Sequence, residues 1–431
     1  MLGERVGLIA KQDITANEVI LTLPESMCIT SVDAVQHEVV GGVAAESSEL
    51  VALTLWLMAE RAAGGSSVHA PLLRSLPDSS NSPLLWEESE VAVLLTGSPT
   101  QAEARKRTAE LKQQWQALSE GALAKDSTKF SPAVYNETAF LRAFGVVIAN
   151  SVYLSAAQCF ALMPLASTMG RTGNDNGCNL DYDAELGAVV ITAPLRMIEG
   201  QELLLNDGRP NGEMLLSTGT VQADNKSDFL LFPTALVPAD RYYTMKSEIL
   251  ESVGLNPKEL FPVYADRFPN QMLSYLRLAR VQDPALFAKV SFEADNELSQ
   301  VNEYEVLQLL MGDCRERLAA YKSSYEEDMK SLQQQDLSPR ERLANKLRLA
   351  EKKVLSKTMD AMRKRLAPIR GIPTKQGNLT DPNSDLKEIF EFVEGIPSAP
   401  VRFLEGVFGW ARGDDDPEWK KKGGSKPGPK R

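Results

Sequence analysis

The stretch QVNEYEVLQLLMGDCRERLAAYKSSYEEDMKSL, residues 300–332, repeats apolar side chains at steps of three and four residues. This spacing places them on one face of a helix, which predicts that the helix packs against a core along that face. The residues of this face are Leu307, Leu310, Cys314, Leu318 and Tyr321. Further along, SPRE at 338–341 has the order of a capping box, which predicts a long helix that ends near Leu366. We therefore expect residues 244–366 to be almost wholly helical.

The first half of the chain alternates between strand and helix patterns. Residues 5–31 carry two short apolar runs separated by KQDITANE, which predicts a strand, a turn and a second strand. Helical periodicity predicts helices at 46–63, 101–119 and 136–160. Strand and turn patterns return over residues 160–221.

Composition argues against several classes of function. The net charge of -11 disfavours general nucleic-acid binding, because contacts with phosphate require a basic face. The four cysteines form no Cys-x-x-Cys pair, which predicts a reducing compartment and neither a disulfide framework nor a structural zinc site. The two histidines, His37 and His69, have no metal-ligand neighbour at helical spacing, so we expect no metal site.

Several phrases of the sequence carry a family resemblance. In the helical half they are FPNQMLSYLRLAR (268–280), the stretch 300–332 and RERLANKLRLAEKKVLSKTM (340–359). In the first half they are VGLIAKQDITANEVILTLP (6–24), FALMPLA (160–166) and IEGQELLLNDGRPNGEMLLSTG (198–219). Through these phrases, residues 4–366 resemble the SET-domain protein-lysine methyltransferases. Within that family they are most similar to the branch typified by the plant Rubisco large-subunit methyltransferase (LSMT).

This resemblance implies an α+β fold: a SET β-fold with a helical insertion, followed by an all-α substrate-binding lobe. We expect a SET-like domain at 1–225, with its helical insert at about 45–145, and the LSMT-type lobe at 240–366. In the family, S-adenosylmethionine and the substrate lysine enter from opposite faces and meet in a narrow channel. A buried tyrosine hydroxyl and carbonyl oxygens orient the lysine amine there.

The resemblance also locates the cofactor site, where this chain departs from the family pattern. After the matching residues 164–166, Ser167 stands where aspartate is usual. Gly170 and Arg171 occupy the positions of an Asn-His pair that grips the adenine and amino-acid ends of the cofactor. Glycine lacks the amide, and arginine adds a cation near the sulfonium, which is costly in a desolvated site.

The catalytic signature is altered as well. Thr218, Gly219 and Thr220 stand where the family has a catalytic Tyr-Gly-Phe, and threonine lacks the reach and the ring of tyrosine. Upstream, Asp207 and Gly208 replace a Tyr-Gly pair, whereas Asn211 and Glu213 of the following helix start are retained. We therefore assign no catalytic residue and note only that Thr218 holds the tyrosine position.

The family's opening Glu-Gly-x-Gly is also changed. It appears here as Glu4, Arg5, Val6 and Gly7, with arginine where close backbone approach favours glycine. Asn150 lies near the place of a basic residue. The degenerate cofactor-binding set implied by the resemblance is Glu4, Val6, Gly7, Asn150, Gly170 and Arg171.

Other candidates favour simpler interpretations. Asn174 or Asn176 is an alternative, shifted equivalent of the Asn-His pair. The carboxylates Asp175, Asp181 and Asp183 follow no calcium-loop spacing, so we interpret them as solvated turn residues. We interpret Trp56 and Trp86 as core residues, Glu213 as support for its helix, and Arg348, Lys352 and Lys353 as the solvated face of a long helix.

Two functional hypotheses follow from these departures. The first is a SET-family protein that has lost most of its methyl-transfer machinery and acts as a protein-binding or assembly component through the lobe 240–366. The alternative is an active S-adenosylmethionine-dependent protein-lysine N-methyltransferase with an atypical pocket. The resemblance also implies the chloroplast, either in the stroma or in a membrane-associated complex, with the cytosol as the alternative.

The C-terminal part lies outside the resemblance. Residues 367–384 have the composition of a linker, and 385–431 form an extension that ends in a basic tail. Within it, residues 398–412 have an N-cap serine, an early proline and one apolar face, which predicts an amphipathic helix. We expect this helix to dock on a partner protein or a membrane surface, or alternatively on the chain's own lobe.

Overall fold

A computed structural model describes residues 7–126, 128–267 and 269–369. The predictions for Glu4, Val6 and residues 370–431 lie outside this part of the chain. The described residues form two compact units. The first unit comprises 7–92 and 100–226, apart from residue 127, and the second unit, which we call the lobe, comprises 93–99 and 227–369, apart from residue 268.

The first unit combines short strands with a helical insertion. Its strands are β1 Leu8–Ile9, β2 Val19–Pro24, β3 Val152–Leu154, β4 Cys159–Ala161, β5 Gly170–Thr172, β6 Asn179–Asp183, β7 Ala188–Thr192 and β8 Glu202–Asn206. Its helices are α1 Ser31–Gln36, α2 Gly41–Ala44, α3 Glu49–Ala63, α4 Ala70–Ser75, α5 Glu88–Leu94 (which runs into the lobe), α6 Pro99–Glu120, α7 Glu137–Asn150 and α8 Asn211–Thr218.

Three small sheets build the β part of the first unit. Strand β8 lies between β1, which is antiparallel to it, and β5, which is parallel to it. Strand β7 lies between β2 and β6, and β3 pairs with β4. Their inward side chains, among them Met163, Val189 and Ile191, form one buried core. The two predicted opening strands both exist, but they belong to different sheets.

The helical insertion follows the predicted periodicity with one correction. Helices α3 and α6 lie where they were predicted, and Trp56 and Trp86 are both buried, as predicted. The helix predicted over 136–160 is wrong beyond Asn150, because Ser151 is extended and the following residues form the β3–β4 hairpin. The run after Ser151 is rich in β-branched and aromatic residues, which suit a half-buried strand as well as a helix.

The lobe consists of helices around a two-stranded antiparallel sheet. Its elements are β9 Phe229–Ala235, α9 Tyr243–Ser252, β10 Lys258–Tyr264, α10 Asn270–Arg280, α11 Gln300–Ala320, α12 Tyr325–Leu332 and α13 Pro339–Leu366. The two strands of the sheet, β9 and β10, are separated in sequence by α9. The predicted apolar face of α11 packs in the core, and the predicted capping box of Ser338 and Glu341 starts α13. These two features confirm the helical interpretation of this region.

The β9–β10 sheet corrects the expectation of an almost wholly helical lobe. Strand β10 pairs with β9 in a continuous register from Lys258 opposite Ala235 to Tyr264 opposite Phe229. Pro262 has no N–H for a helical hydrogen bond, and strand alternation buries Phe261. The helical pattern of the neighbouring segments hid this short strand.

A second correction concerns the charged residues of α13. Lys352 is only 2% exposed, and its ammonium lies 2.6 Å from Oδ2 of Asp328 on α12. Arg348 donates to the same carboxylate at 2.6 Å. The prediction of a solvated face is wrong for these two residues, because a buried acid on the neighbouring helix compensates their charges. No helix of the described residues is long and apolar enough to cross a membrane.

Candidate cofactor and acceptor site

The sheet β1–β8–β5 brings several predicted cofactor residues into the first unit's β part. Gly7 directly precedes β1, and a side chain there would place its Cβ 3.2 Å from Oε1 of Glu202 on β8. Gly170 and Arg171 lie in β5, opposite Leu204 and Leu205 of β8. This sheet therefore supplies the surface on which the resemblance places the cofactor.

The end of α7 meets this surface through Arg171. The guanidinium of Arg171 donates to the backbone carbonyl of Ser151 at 3.0 Å, beside Asn150. Asn150 donates its own side-chain amide to the carbonyl of Val146 at 2.7 Å, within α7. Asn150 thus ends a helix by a local hydrogen bond and adds no positive charge to the site.

A buried ion pair stands where the family has its upstream Tyr-Gly pair. Asp207 follows β8 and is 6% exposed, and Arg209 approaches both of its carboxylate oxygens, at 2.7 and 2.5 Å. Burial alone would raise the pKa of Asp207, but Arg209 and Arg171 outweigh it and hold the pKa below its usual value. The carboxylate is therefore ionised at neutral pH and is held by arginine.

A second buried pair joins α8 to the helical insertion. Arg107 of α6 donates to both oxygens of Glu213 of α8, at 2.8 and 2.7 Å, and also binds Glu103. Burial alone would lower the pKa of the Arg107 guanidinium, but these carboxylates raise it above its usual value. Glu213 thus supports the position of its helix, in agreement with the sequence interpretation.

Thr218, at the family's tyrosine position, is the last residue of α8. Its hydroxyl donates to the carbonyl of Met214 at 2.7 Å and lies 2.6 Å from the hydroxyl of Thr220. Gly219 then ends the helix in the left-handed region at φ 67°, and a Cβ there would lie 2.7 Å from the backbone of Asn81. The hydroxyl of Thr218 is therefore used to end the helix.

The sequence reasoning missed one residue of this site, Gln222. Its side-chain oxygen accepts from the backbone N–H of Gly173 at 2.9 Å, and its side-chain nitrogen donates to the backbone carbonyl of Arg171. Asn211 holds the backbone of Gln222 through two hydrogen bonds of 2.9 Å. No motif pointed to Gln222, and the only sequence signal was the retained Asn211 of the helix start.

These contacts test whether the residues present fit S-adenosylmethionine. The backbone carbonyl of Arg171, at the position that the resemblance assigns to adenine binding, is taken by Gln222. The Arg171 side chain adds a cation, and Thr218 offers no ring and no inward hydroxyl. In this arrangement the residues do not fit the cofactor, so we derive no chemical step through it.

Three of the candidate side chains in the first unit, two carboxylates and one histidine, have local partners. Asp175 pairs with Lys226 at the surface, and Asp183 accepts from the backbone of a turn. His37 lies 3.2 Å from Glu60. Within residues 7–126, 128–267 and 269–369, no three His, Cys, Asp or Glu side chains are grouped to hold a metal ion.

Comparison with known proteins extends these observations. Residues 237–355 match the family described as Rubisco LSMT substrate-binding. The chain is 24% identical over 383 residues to the chloroplastic Rubisco large subunit N-methyltransferase of Nicotiana tabacum, covering 85% of this chain and 77% of that relative. It is 26% identical to the actin-histidine N-methyltransferase of Homo sapiens, covering 83% of this chain and 63% of that protein.

A solved structure of Rubisco LSMT bound to AdoMet superposes on 94% of this chain and 93% of that one, with a TM-score of 0.68 at 21% identity. The fold is therefore that of a SET domain followed by an LSMT-type lobe, which confirms the predicted fold class. These similarities support the resemblance of the sequence to the Rubisco LSMT-like branch of the SET-domain proteins. A third relative, the chloroplastic [fructose-bisphosphate aldolase]-lysine N-methyltransferase of Arabidopsis thaliana, is 25% identical over 374 residues, covering 82% of this chain and 76% of that relative. The names of these relatives thus include a lysine-directed and a histidine-directed methyltransferase.

Proposed function

We propose that this protein is a SET-domain homologue that has lost methyl transfer and acts as a protein-binding or assembly component. The carrying observation is Thr218: its hydroxyl bonds back to Met214 at the position where the family has its catalytic tyrosine. A neutral, oriented amine is needed to attack a sulfonium methyl group, and no group at this position orients one.

The charges around the site support the same proposal. Arg171 and Arg209 flank Asp207, and the Arg171 cation lies at the position assigned to the cofactor's adenine and amino-acid ends. Like charges repel strongly in a poorly solvated site, so a sulfonium cofactor would be disfavoured there.

We expect a protein partner to bind the lobe, on the exposed face of the sheet that β9 and β10 form. Leu231 of β9 and Leu260 of β10 are 45% and 46% exposed on the outer face of the β9–β10 sheet. Pro233 and Pro262 alternate with them on this face and have no N–H to donate to an added strand. This chemistry favours a partner that presents apolar side chains, such as one face of a helix, over one that extends the sheet.

A cofactor titration tests the loss of methyl transfer. Isothermal calorimetry with S-adenosylmethionine is expected to show no micromolar binding, and radiolabelled cofactor is expected to leave no methyl group on lysine-containing or histidine-containing protein substrates. Micromolar binding together with methyl transfer would overturn the proposal.

A pull-down from native extract tests the binding role. Leu260→Asp is expected to reduce recovery of the partner, whereas Met329→Asp, an equally exposed position on α12, is the matched control and is expected to leave recovery unchanged. If both variants lose partner recovery equally, or if neither variant loses it, the outer face of the β9–β10 sheet is not the docking surface.

The second candidate is an active protein N-methyltransferase with an atypical pocket. The observation that favours it is the similarity to named methyltransferases over more than four fifths of this chain. Those relatives include a lysine-directed and a histidine-directed methyltransferase. If the titration shows cofactor binding, methyl transfer therefore has to be assayed with both lysine-containing and histidine-containing substrates.

We further propose a plastid location, because two of the relatives are chloroplastic. The actin-directed relatives leave the cytosol as the alternative. Imaging of the full-length protein fused to a fluorescent protein is expected to show plastid signal, and a purely cytosolic signal would contradict this.

A further inference from the structure

The side chain of Gln222 makes a paired contact with the end of β5. Its oxygen accepts from the N–H of Gly173, and its nitrogen donates to the carbonyl of Arg171. A primary carboxamide therefore fills one donor and one acceptor of the strand's backbone at once. These backbone groups are fixed in place because β5 is hydrogen-bonded to β8.

The same donor and acceptor pair is offered by the edge of an adenine base. Adenine presents an amino group that donates beside a ring nitrogen that accepts, whereas guanine presents two acceptors at the corresponding edge. The carboxamide of Gln222 presents the adenine pattern to the strand. It does so at Arg171, the position to which the family resemblance assigns the grip on adenine.

The loop that carries Gln222 is held closely over the strand. Asn211 binds both the N–H and the carbonyl of Gln222, and Asn225 donates to the carbonyl of Arg209 at 2.8 Å. A Cβ on Gly173 would lie 1.9 Å from Oδ1 of Asn225, so a larger residue there would require the Asn225 side chain to move. Residues 220–226 therefore act as a cover on the end of β5.

The covered arrangement leaves two polar atoms unsatisfied beside this strand. Among the described residues, Ser151 Oγ and Asn174 Oδ1 are buried without a hydrogen-bond partner. Buried polar atoms without partners are uncommon in folded proteins. Their presence indicates surroundings that are chemically suited to a polar ligand once the loop moves away.

We propose that Gln222 is an internal plug that imitates the edge of adenine and closes a latent adenine-binding site on β5. This inference rests on the proposed function, since it explains how the chain excludes an adenine-containing cofactor. Removal of the carboxamide exposes the carbonyl of Arg171 and the N–H of Gly173 to such a ligand. Arg171 and Thr218 are unchanged by this opening, so ligand binding is restored without methyl transfer.

The test compares the full-length protein with Gln222→Ala by calorimetry, using adenosine and S-adenosylhomocysteine as probes and guanosine as the control ligand. We expect Gln222→Ala to bind adenosine at least about tenfold more tightly than the unaltered protein, with no gain for guanosine. Gln116→Ala, which removes an exposed glutamine that pairs only with Glu120 in its own helix, is the matched control and is expected to behave like the unaltered protein. Equal adenosine affinity in folded Gln222→Ala and unaltered protein overturns the plug.

Amide hydrogen exchange provides a second test that does not depend on how the alanine variant folds. In the unaltered protein the N–H of Gly173 is expected to be protected from exchange. In Gln222→Met, whose side chain has a similar length but neither accepts from Gly173 nor donates to Arg171, this N–H is expected to exchange at least about tenfold faster. Fast exchange in the unaltered protein, or an unchanged rate in the variant, overturns the plug.

The two proposals fail in different ways. Tight binding of S-adenosylmethionine and methyl transfer by the unaltered protein overturn the proposed function and the plug together. Absence of adenosine binding in both the unaltered protein and Gln222→Ala overturns the plug alone and leaves the proposed function standing.

Discussion

Both units of the protein bury charged side chains, but they use them differently. In the lobe, Asp328 of α12 receives Lys352 and Arg348 of α13, so one carboxylate joins two helices. In the first unit, Asp207 pairs with Arg209, two positions further along the chain, beside the strand where the resemblance places a cofactor. The same kind of contact therefore stabilises helix packing in the lobe and, in the first unit, fixes polar groups beside the strand where the resemblance places a cofactor.

This difference separates architecture from chemistry. The lobe's buried charges act where two helices meet, and the apolar face of α11 packs in the same unit's core. In the first unit, Asp207 and Arg209 bind each other beside the strand that the resemblance assigns to the cofactor. If the proposed function is correct, the fold has been retained after the groups that performed its chemistry were replaced.

The largest effect is expected from Asp328→Ala. The change leaves Lys352 and Arg348 as buried cations without their carboxylate, and breaking a buried pair in this way costs about 3–5 kcal/mol of the free energy of unfolding. Urea denaturation measures this loss. Asp360→Ala is the control, because Asp360 and its partner Arg363 are both more than half exposed, and a change of no more than about 0.5 kcal/mol is expected.

The same carboxylate predicts a pH dependence. Burial would raise the pKa of Asp328, but Arg348, Lys352 and Ser323 hold the pKa below its unfolded value of 3.8. A lowered folded-state pKa stabilises the fold above pH 3.8, and this contribution is lost as the pH falls through the lower, folded-state pKa. The stability difference between the unaltered protein and Asp328→Ala should therefore shrink in acid. A constant difference down to pH 2 would contradict the ion pair.

In the first unit, Arg107→Met tests the pair with Glu213. The single change leaves the carboxylate of Glu213 buried without its guanidinium and is expected to cost about 3 kcal/mol. The double change Arg107→Met with Glu213→Met replaces both charges and should lie within about 1 kcal/mol of the unaltered protein. Chemical denaturation of the unaltered protein, both single variants Arg107→Met and Glu213→Met, and the double variant completes the cycle. A loss in the double variant equal to the sum of the two single losses would show that the pair is not coupled.

Gly219→Ala separates crowding from backbone strain at the end of α8. Gly219 has φ 67°, and an added Cβ would lie 2.7 Å from the Asn81 backbone. We therefore expect the free energy of unfolding to fall by about 2–3 kcal/mol. Gly254→Ala is the matched control, because Gly254 follows the end of α9 with φ 75° and no atom lies within 4 Å of the added Cβ, and it should cost about 1 kcal/mol. Thermal denaturation compares the two. Equal costs would mean that Asn81 moves aside and does not confine Gly219.

The smallest effect is expected from Thr218→Val. The change removes only the hydroxyl that bonds to the carbonyl of Met214 and meets Thr220, so the loss should be about 0.5 kcal/mol. Partner recovery should be unchanged, because the residue lies in the first unit and the proposed docking face in the lobe. A loss of partner binding without a change in stability would assign Thr218 a role in recognition.

Much of the fold was predictable because local patterns and packing agree there. The apolar face of α11 recurs at the three- and four-residue intervals that a helix requires, and the capping box of α13 has the residue order that starts a helix. Both predictions were confirmed. Prediction failed where local pattern is ambiguous. Residues after Ser151 suit helix and strand equally, and the short strand β10 lies between helical segments. Strand pairing joins residues far apart in sequence, so periodicity alone does not reveal it.

The candidate site shows the same limit. The sequence located Gly170, Arg171 and Thr218 by position and showed which side chains had changed. It gave no sign that Gln222 binds the end of β5, since that contact joins residues 49 and 51 positions apart through a loop.

By itself, the sequence determined the α+β fold class, the long helices α3, α6, α11 and α13 and the identity of the altered positions, because these depend on residue type and spacing. Tertiary structure alone decided what the charged and polar side chains do. Lys352 looked solvated in a charge run, yet it is buried against Asp328, and Gln222 had no motif, yet it occupies the strand beside Arg171. The physical reason is that the energy of a charge or an amide depends on the partner and the solvent that the fold places beside it.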